Sequence, residues 1–197
     1  MSMLGVILCG GQSTRMGSDK GLLTSRHLTS TITWAQLAEQ KLASLTLPVV
    51  LSIHSQQYPS YASLFTDSRM VIDNPELHVG GPLKGLLSVH QRFPDRDLFV
   101  LACDLPKMQP HVLEELLSHY EKQEAEIIVF KNGEQTEPLC GLYRAGGLNK
   151  INAAYEQGKL VKHSMHHILD MLTTHFIPLR KEWQSSFQNF NSPDDLA

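Results

Sequence analysis

Seven short apolar runs, at positions 4–8, 49–53, 70–72, 98–102, 126–130, 139–143 and 174–179, alternate with stretches whose apolar residues recur three and four apart. Strands linked through helices return in the same direction, so this alternation predicts an α/β fold with an open, mostly parallel sheet covered by helices. Between the first two runs, Trp34, Leu37, Ala38, Lys41, Leu42 and Leu45 share one helical face. Lys41 is the polar member of that stripe, and its aliphatic stem can lie along it. Thr33-Trp34-Ala35-Gln36 has the form of a capping box for the start of this helix. A second helix is expected after Pro82, with Leu83, Leu86 and Leu87 inward. A third is expected over about 110–121, with Val112, Leu113, Leu116, Leu117 and Tyr120 at helical spacing. Asn132-Gly133 predicts a tight turn joining two neighbouring strands, which gives the sheet one antiparallel part. Two more helical patterns lie at 148–155 and 165–172, and Ser192-Pro193 reads as the N-cap and first residue of a short final helix. No repeat or linker interrupts the pattern, so a single domain over residues 1–197 is expected.

The first apolar run empties into Leu8-Cys9-Gly10-Gly11, and the loop continues through Arg15, Gly17 and Lys20 to Gly21. Glycines let amide N–H groups approach and point at phosphate oxygens, while an arginine and a lysine offset phosphate charge. Eight of the 13 glycines fall in two clusters, the second being Gly80, Gly81 and Gly85. Clustering at strand exits points to close approach of a ligand. The loop matches neither G-x-x-x-x-G-K-[ST] nor G-x-G-x-x-G, which points away from P-loop hydrolases and dinucleotide-dependent redox enzymes. Asp104 follows the run at 98–102 and precedes Leu105-Pro106. A carboxylate there stands where open α/β sheets bind ligands and suits a Mg²⁺ ion whose shell phosphate oxygens complete. Asp73 ends the run at 70–72; it suits either a hydrogen bond to a nucleobase or ribose, or the start of a turn before Pro75.

A formal net charge of −3, with no basic run, argues against a nucleic-acid-binding surface. The apolar runs are strand-length, so no transmembrane helix is expected, and the first strand begins too early to leave room for a signal peptide. Cys9, Cys103 and Cys140 form no CxxC pair and read as free thiols of a cytoplasmic protein. Cys9 and Cys103 each stand at a strand exit, as small buried residues or, alternatively, a redox-sensitive pair. His163 and His167 are four apart on a helical stretch with no third ligand at suitable spacing, and read as surface histidines.

In this order, LCGGQSTRMGSDKG at 8–21, VGGPLKGL at 79–86, ACDLP at 102–106, EPLCGLYR at 137–144 and NFNSPDDL at 189–196 resemble the molybdenum cofactor guanylyltransferases. The first segment matches that family's L-A-G-G-x-S-x-R-M-G-x-D-K and is shared by a wider nucleotidyltransferase superfamily. The resemblance implies a Rossmann-like, three-layer α/β/α domain of the nucleotide-diphospho-sugar transferase type. It implies transfer of GMP from GTP to molybdenum-carrying molybdopterin, with release of pyrophosphate. Carried over by position, Leu8, Cys9, Gly10 and Gly11 would contact the nucleotide mainly through backbone, and Arg15 and Lys20 would bind its phosphates. His54 and Asp73 would belong to the nucleoside site, Asp104 would bind Mg²⁺, and Gly81 and Gly85 would shape the loop beside the base. Asn189 and Asn191 would lie towards the pterin. Contacts with cofactor-supplying and molybdoenzyme-maturation proteins would follow. This chain departs from the family's pattern at Cys9 (usually alanine), at His54 (often asparagine), in lacking the G-K-P turn within 22–33, and after Gly158, where Lys159-Leu160-Val161-Lys162-His163 lacks the usual arginine.

These residues suit an in-line attack by an acceptor phosphate oxygen on the α-phosphorus of a nucleoside triphosphate, a step carried by positioning and charge rather than by a protein nucleophile. The same fold with CTP or a sugar-phosphate acceptor is one alternative. A nucleotide- or cofactor-binding chaperone without transfer activity is another.

Overall fold

The computed structural model describes residues 3–10, 19–24 and 32–188. Its strands are β1 (Met3–Leu8), β2 (Val49–Ile53), β3 (Met70–Ile72), β4 (Asp97–Ala102), β5 (Ile127–Asn132), β6 (Gln135–Tyr143) and β7 (Thr174–Pro178). Its α-helices are α1 (Trp34–Ala43), α2 (Tyr58–Tyr61), α3 (Pro82–Arg92), α4 (Pro110–Tyr120), α5 (Ala145–Glu156) and α6 (Met165–Met171). The strands form one sheet in the order β3-β2-β1-β4-β6-β5-β7. All neighbours are parallel except the pairs made by β6, which runs against both β4 and β5. The cause is local: Asn132 pairs with Gln135, so Gly133-Glu134 closes a hairpin too short for a crossover. Hairpin pairing also draws the polar residues Gln135 and Thr136 into β6, which therefore begins four residues before its apolar run at 139–143.

Helices cover both faces of the sheet. On one side Ala35, Ala38 and Leu42 of α1 and Val112, Leu113 and Leu116 of α4 meet Ile7, Leu51, Phe99 and Leu101. On the other, Leu83, Leu86 and Leu87 of α3, Leu148 and Ile151 of α5, and Ile168 of α6 meet Leu4, Val6, Leu98 and Val100. Alternate residues of the same strands thus feed two cores, which is why the runs read as continuously apolar. The Thr33–Gln36 capping box forms in both directions. Lys41 lies along its stripe as expected, and its Nζ donates to the carbonyls of Pro106 at 2.6 Å and Leu105 at 3.5 Å. Not foreseen is a 3-10 segment, Lys181–Phe187, whose Trp183 and Phe187 close the first core. The final helix expected at Ser192-Pro193 lies outside the described residues.

Arg144, in the 137–144 motif, fastens the fold rather than the site. Its guanidinium sits 4.1 Å over the Tyr120 ring and donates to the carbonyls of Tyr120 and Gln123 at 2.7 Å each, capping the end of α4. Buried Asp97 accepts from the Tyr120 hydroxyl and from the Ala145 amide at 2.7 Å, binding the starts of β4 and α5 together. Among the described residues, no helix is long and apolar enough to cross a membrane.

Candidate active site

The sheet reverses its winding between β1 and β4. The chain lays β2 and β3 on one side of β1, then returns to place β4 on the other, and open α/β sheets bind ligands at the carboxyl ends of such strands. Backbone bonds run one residue past the strand ends: the Cys9 amide donates to Ser52 O (3.0 Å), the Cys103 amide to Leu8 O (3.2 Å) and the Asp73 amide to Ile53 O (2.9 Å). The ladder therefore delivers Cys9-Gly10, Cys103-Asp104, His54 and Asp73 side by side on one rim.

Lys20 meets Asp104 on this rim. Its Nζ lies 3.2 Å from Asp104 Oδ2, and both side chains are about a quarter exposed, at 23% and 24%. The adjacent Asp19 sets that position. One of its oxygens accepts from the Gly21 amide (3.0 Å) and the Tyr61 hydroxyl (3.1 Å), the other from Gln57 Nε2 (2.6 Å). Gln57 Nε2 also donates to Cys9 O at 3.0 Å, so the Asp19 anchor is tied to the end of β1. Gly21 is needed for close approach, since a Cβ there would come within 2.0 Å of the Tyr61 hydroxyl. Asp-Lys-Gly is thus an anchor, a cation and a gap.

Asp73 accepts from Ser52 Oγ at 2.9 Å through Oδ1, and its Oδ2 would stand 3.2 Å from a Cβ on Gly10. Burial pushes its carboxyl pKa up, against the Ser52 hydrogen bond and the nearby His54 and Lys84, which pull it down. His54 stands at the exit of β2 beside it, and its Nδ1 accepts from the Gln56 amide at 3.3 Å. Gly81 takes φ +64° and ψ −154°, a backbone region for glycine, and opens α3 ahead of Pro82. Gly85 departs from the expected loop role: it lies in the second turn of α3, where a Cβ would meet Ser52 Oγ at 2.4 Å. Its missing side chain lets α3 pack onto β2 beside Asp73. Cys9 and Cys103 are both buried, and their mutual hydrogen bond, with burial, pushes the Cys103 thiol well up, which disfavours a reactive thiolate. Gly11 and Arg15 in the first loop, and Asn189 and Asn191 near the end of the chain, lie outside the described residues.

Among the described residues, no group of three or more His, Cys, Asp or Glu could hold a metal ion. The donor set on the rim, one partly exposed strand-end carboxylate beside a lysine, does fit an ion that takes one protein carboxylate and draws its other ligands from substrate phosphates and water. Asp104 would be that ligand. A separate cavity of about 420 Å³ opens at the other end of the sheet, among Leu4, Val49, Arg69, Phe93 and Arg96, and takes no part in this arrangement.

The family model for the MobA-like NTP transferase domain matches residues 5–172. The chain belongs to that family. Among this MobA-like chain's relatives, a molybdenum cofactor guanylyltransferase from Campylobacter jejuni is 33% identical over 140 residues, 71% of this chain and 68% of the relative. Another, from Photobacterium profundum, is 28% identical over 198 residues, 97% of this chain and 92% of the relative. The same fold is seen in molybdopterin-guanine dinucleotide biosynthesis protein A from Archaeoglobus fulgidus, with a TM-score of 0.76 and 24% identity over 98% of this chain and 95% of that one. It is seen again in the 2-C-methyl-D-erythritol 4-phosphate cytidylyltransferase of Francisella tularensis, with a TM-score of 0.71 and 12% identity over 100% and 97%. The protein is a nucleotidyltransferase of the molybdenum cofactor guanylyltransferase family.

Sequence reasoning missed several residues of this MobA-like site. Asp19 stood beside a chosen lysine, and its place just before a tight Lys-Gly turn was the available signal. Gln57, Tyr61 and Ser52 carried no signal, because their partners come from distant parts of the chain.

Proposed function

We propose that the protein transfers GMP from GTP to the terminal phosphate of molybdenum-loaded molybdopterin, releasing pyrophosphate. The observation that carries this reading is the meeting of Lys20 and Asp104 at the switch point, within a rim that also holds Asp73. A cation and a carboxylate from residues 84 apart in sequence suit a polyphosphate and its counter-ion. The names of the relatives support guanine as the base and molybdopterin as the acceptor.

In this reading the acceptor's phosphate oxygen attacks the α-phosphorus of GTP, the new P–O bond forms, and the bond to the bridging oxygen of the β-phosphate breaks. Both electrons of the broken bond leave with pyrophosphate. The attacking phosphate is already ionised near neutral pH, so no general base is required. Lys20, fixed through Asp19, sits where it can offset charge moving onto the leaving group. Mg²⁺ held by Asp104 would neutralise phosphate charge and orient the oxygens for in-line displacement. The backbone at Cys9 and Gly10 approaches the nucleotide, with Gly10 as the amide donor because the Cys9 amide is held by Ser52 O, and the Asp73 carboxylate, oriented by Ser52, accepts hydrogen bonds from its nucleoside part. Arg15, Gly11, Asn189 and Asn191 keep the phosphate, backbone and pterin roles that the resemblance implies. Three buried thiols in no disulfide fit a reducing, cytoplasmic setting.

The test is pyrophosphate release with Mg²⁺ and molybdenum-loaded molybdopterin, using GTP, ATP, CTP and UTP in turn. Release is expected with GTP at least about 10-fold above the others, a difference that one or two base hydrogen bonds supply. Preference for CTP would favour the cytidylyl alternative, and binding of GTP without release from any of the four would favour a chaperone.

A further inference from the structure

The loop between β3 and α3 runs from Asn74 to Gly81 and links the carboxylate of Asp73 to the start of α3. Leu77 and Val79 sink into the core, while Glu76, His78 and Gly80 face outward. A loop that opens on a turn over residues 74–77 and anchors alternate side chains still needs partners for its outward backbone groups. One side chain meets two of them. Tyr155, near the end of α5, accepts from the His78 amide at 2.9 Å and donates to the Glu76 carbonyl at 3.1 Å. It is brought there from 77 residues away in sequence.

The root of the loop is tied to the same helix by a chain of amides. Asn74 Nδ2 donates to Gln91 at 2.9 Å, Gln91 Nε2 to Asn152 at 3.0 Å, and Asn152 Nδ2 to Glu156 at 2.8 Å. His90 and Asn149, 2.9 Å apart, repeat the link one turn earlier along α5. Residues 149, 152 and 155 follow one another along α5 at spacings of three, so a single helix face meets α3, the loop root and the loop tip.

We infer that α5 is the splint of the nucleoside loop, and that Tyr155 is a positioning residue that holds residues 76–78 in the conformation that receives the nucleotide. The inference rests on the reading of this rim as the GTP site. Tyr155 does not touch the reacting atoms. Its two hydrogen bonds fix backbone, and backbone fixed before binding lowers the ordering cost of binding in the ground state and the transition state alike.

The test is Tyr155→Phe, which keeps the half-buried ring packed against the core and removes both hydrogen bonds. Turnover is measured with molybdenum-loaded molybdopterin, Mg²⁺ and varied GTP, together with amide hydrogen exchange at His78. The expected result is a KM for GTP raised about 10-fold with kcat within about 2-fold of wild type, the signature of lost uniform binding. Exchange at the His78 amide is expected to accelerate. An unchanged KM overturns the inference, even where exchange accelerates, and so does a joint fall in kcat and thermal stability, which marks general damage. Wild-type protein that fails to turn over GTP contradicts the guanylyl-transfer reading itself and takes the inference with it. Wild-type turnover with an indifferent Tyr155→Phe variant overturns the inference alone.

Discussion

In the proposed reaction the Lys20–Asp104 pair acts in chemistry rather than in stability. Both are about a quarter exposed, and an ion pair in that setting contributes about 0–1 kcal/mol to folding. Asp104→Ala is therefore expected to fold normally and to lower kcat by about 10²–10³-fold, with Lys20→Ala behaving alike. Near-normal turnover in either variant would remove the substituted residue from the reaction. Gly21 makes a different residue-scale case. Alanine there meets the Tyr61 hydroxyl at 2.0 Å, and forcing such a contact costs about 1–3 kcal/mol and displaces Lys20. Gly21→Ala is expected to lose both activity and stability. Adding Tyr61→Phe removes the offending oxygen, so the double variant should return to the level of Tyr61→Phe alone. A double variant as impaired as Gly21→Ala would locate the need for glycine elsewhere.

At the scale of elements, the β4–α4 turn that carries Asp104 rests on α1. Lys41 donates to the carbonyls of Pro106 and Leu105, and burial lowers its pKa from 10.5 to about 8. Between about pH 8 and pH 10.5 the unfolded chain keeps this proton while the folded chain sheds it. Stability from this group therefore rises with pH across that window, and below it the folded protein bears the full cost of a buried charge. Chemical unfolding of wild type and Lys41→Met at pH 7.5 and pH 10 is expected to show wild type gaining on the variant at the higher pH. A stability difference independent of pH would mean that the amine is not desolvated. Position 41 was legible in the sequence as the odd member of an apolar stripe, yet its partners were not. They are backbone carbonyls of a turn more than sixty residues away, and no periodicity reports them.

Most strands and helices were legible for a physical reason: β1, β2, β4 and β5 are buried on both faces and each main helix on one, so pattern and burial coincide. Reading failed where pairing replaced pattern, as at the polar start of β6, and where a 3-10 segment buried Trp183 and Phe187 without helical period. In the site, Asp73 and Asp104 were visible because charge at the exit of an apolar run is conspicuous, and Lys20 because it stands as a cation in a glycine-rich loop. Asp19, Gln57, Tyr61 and Tyr155 were not, since each acts on another residue or on backbone brought close by the sheet. Gly85 was read as part of a binding loop because sequence shows a glycine cluster and not the strand that α3 packs against.

For the molecule as a whole, topology does what no single residue could. The reversal between β1 and β4 gathers Cys9-Gly10, Lys20, Asp73 and the Asp104 turn at one rim, leaving the opposite end to structural fastenings such as Asp97 and Arg144. The most direct test of the claim built on that convergence is to incubate the protein with Mg²⁺, GTP and molybdenum-loaded molybdopterin and look for products by mass spectrometry. The expected result is the molybdopterin guanine dinucleotide and pyrophosphate in equal amounts. Pyrophosphate without the dinucleotide, or neither product from a folded protein that binds GTP, would contradict it.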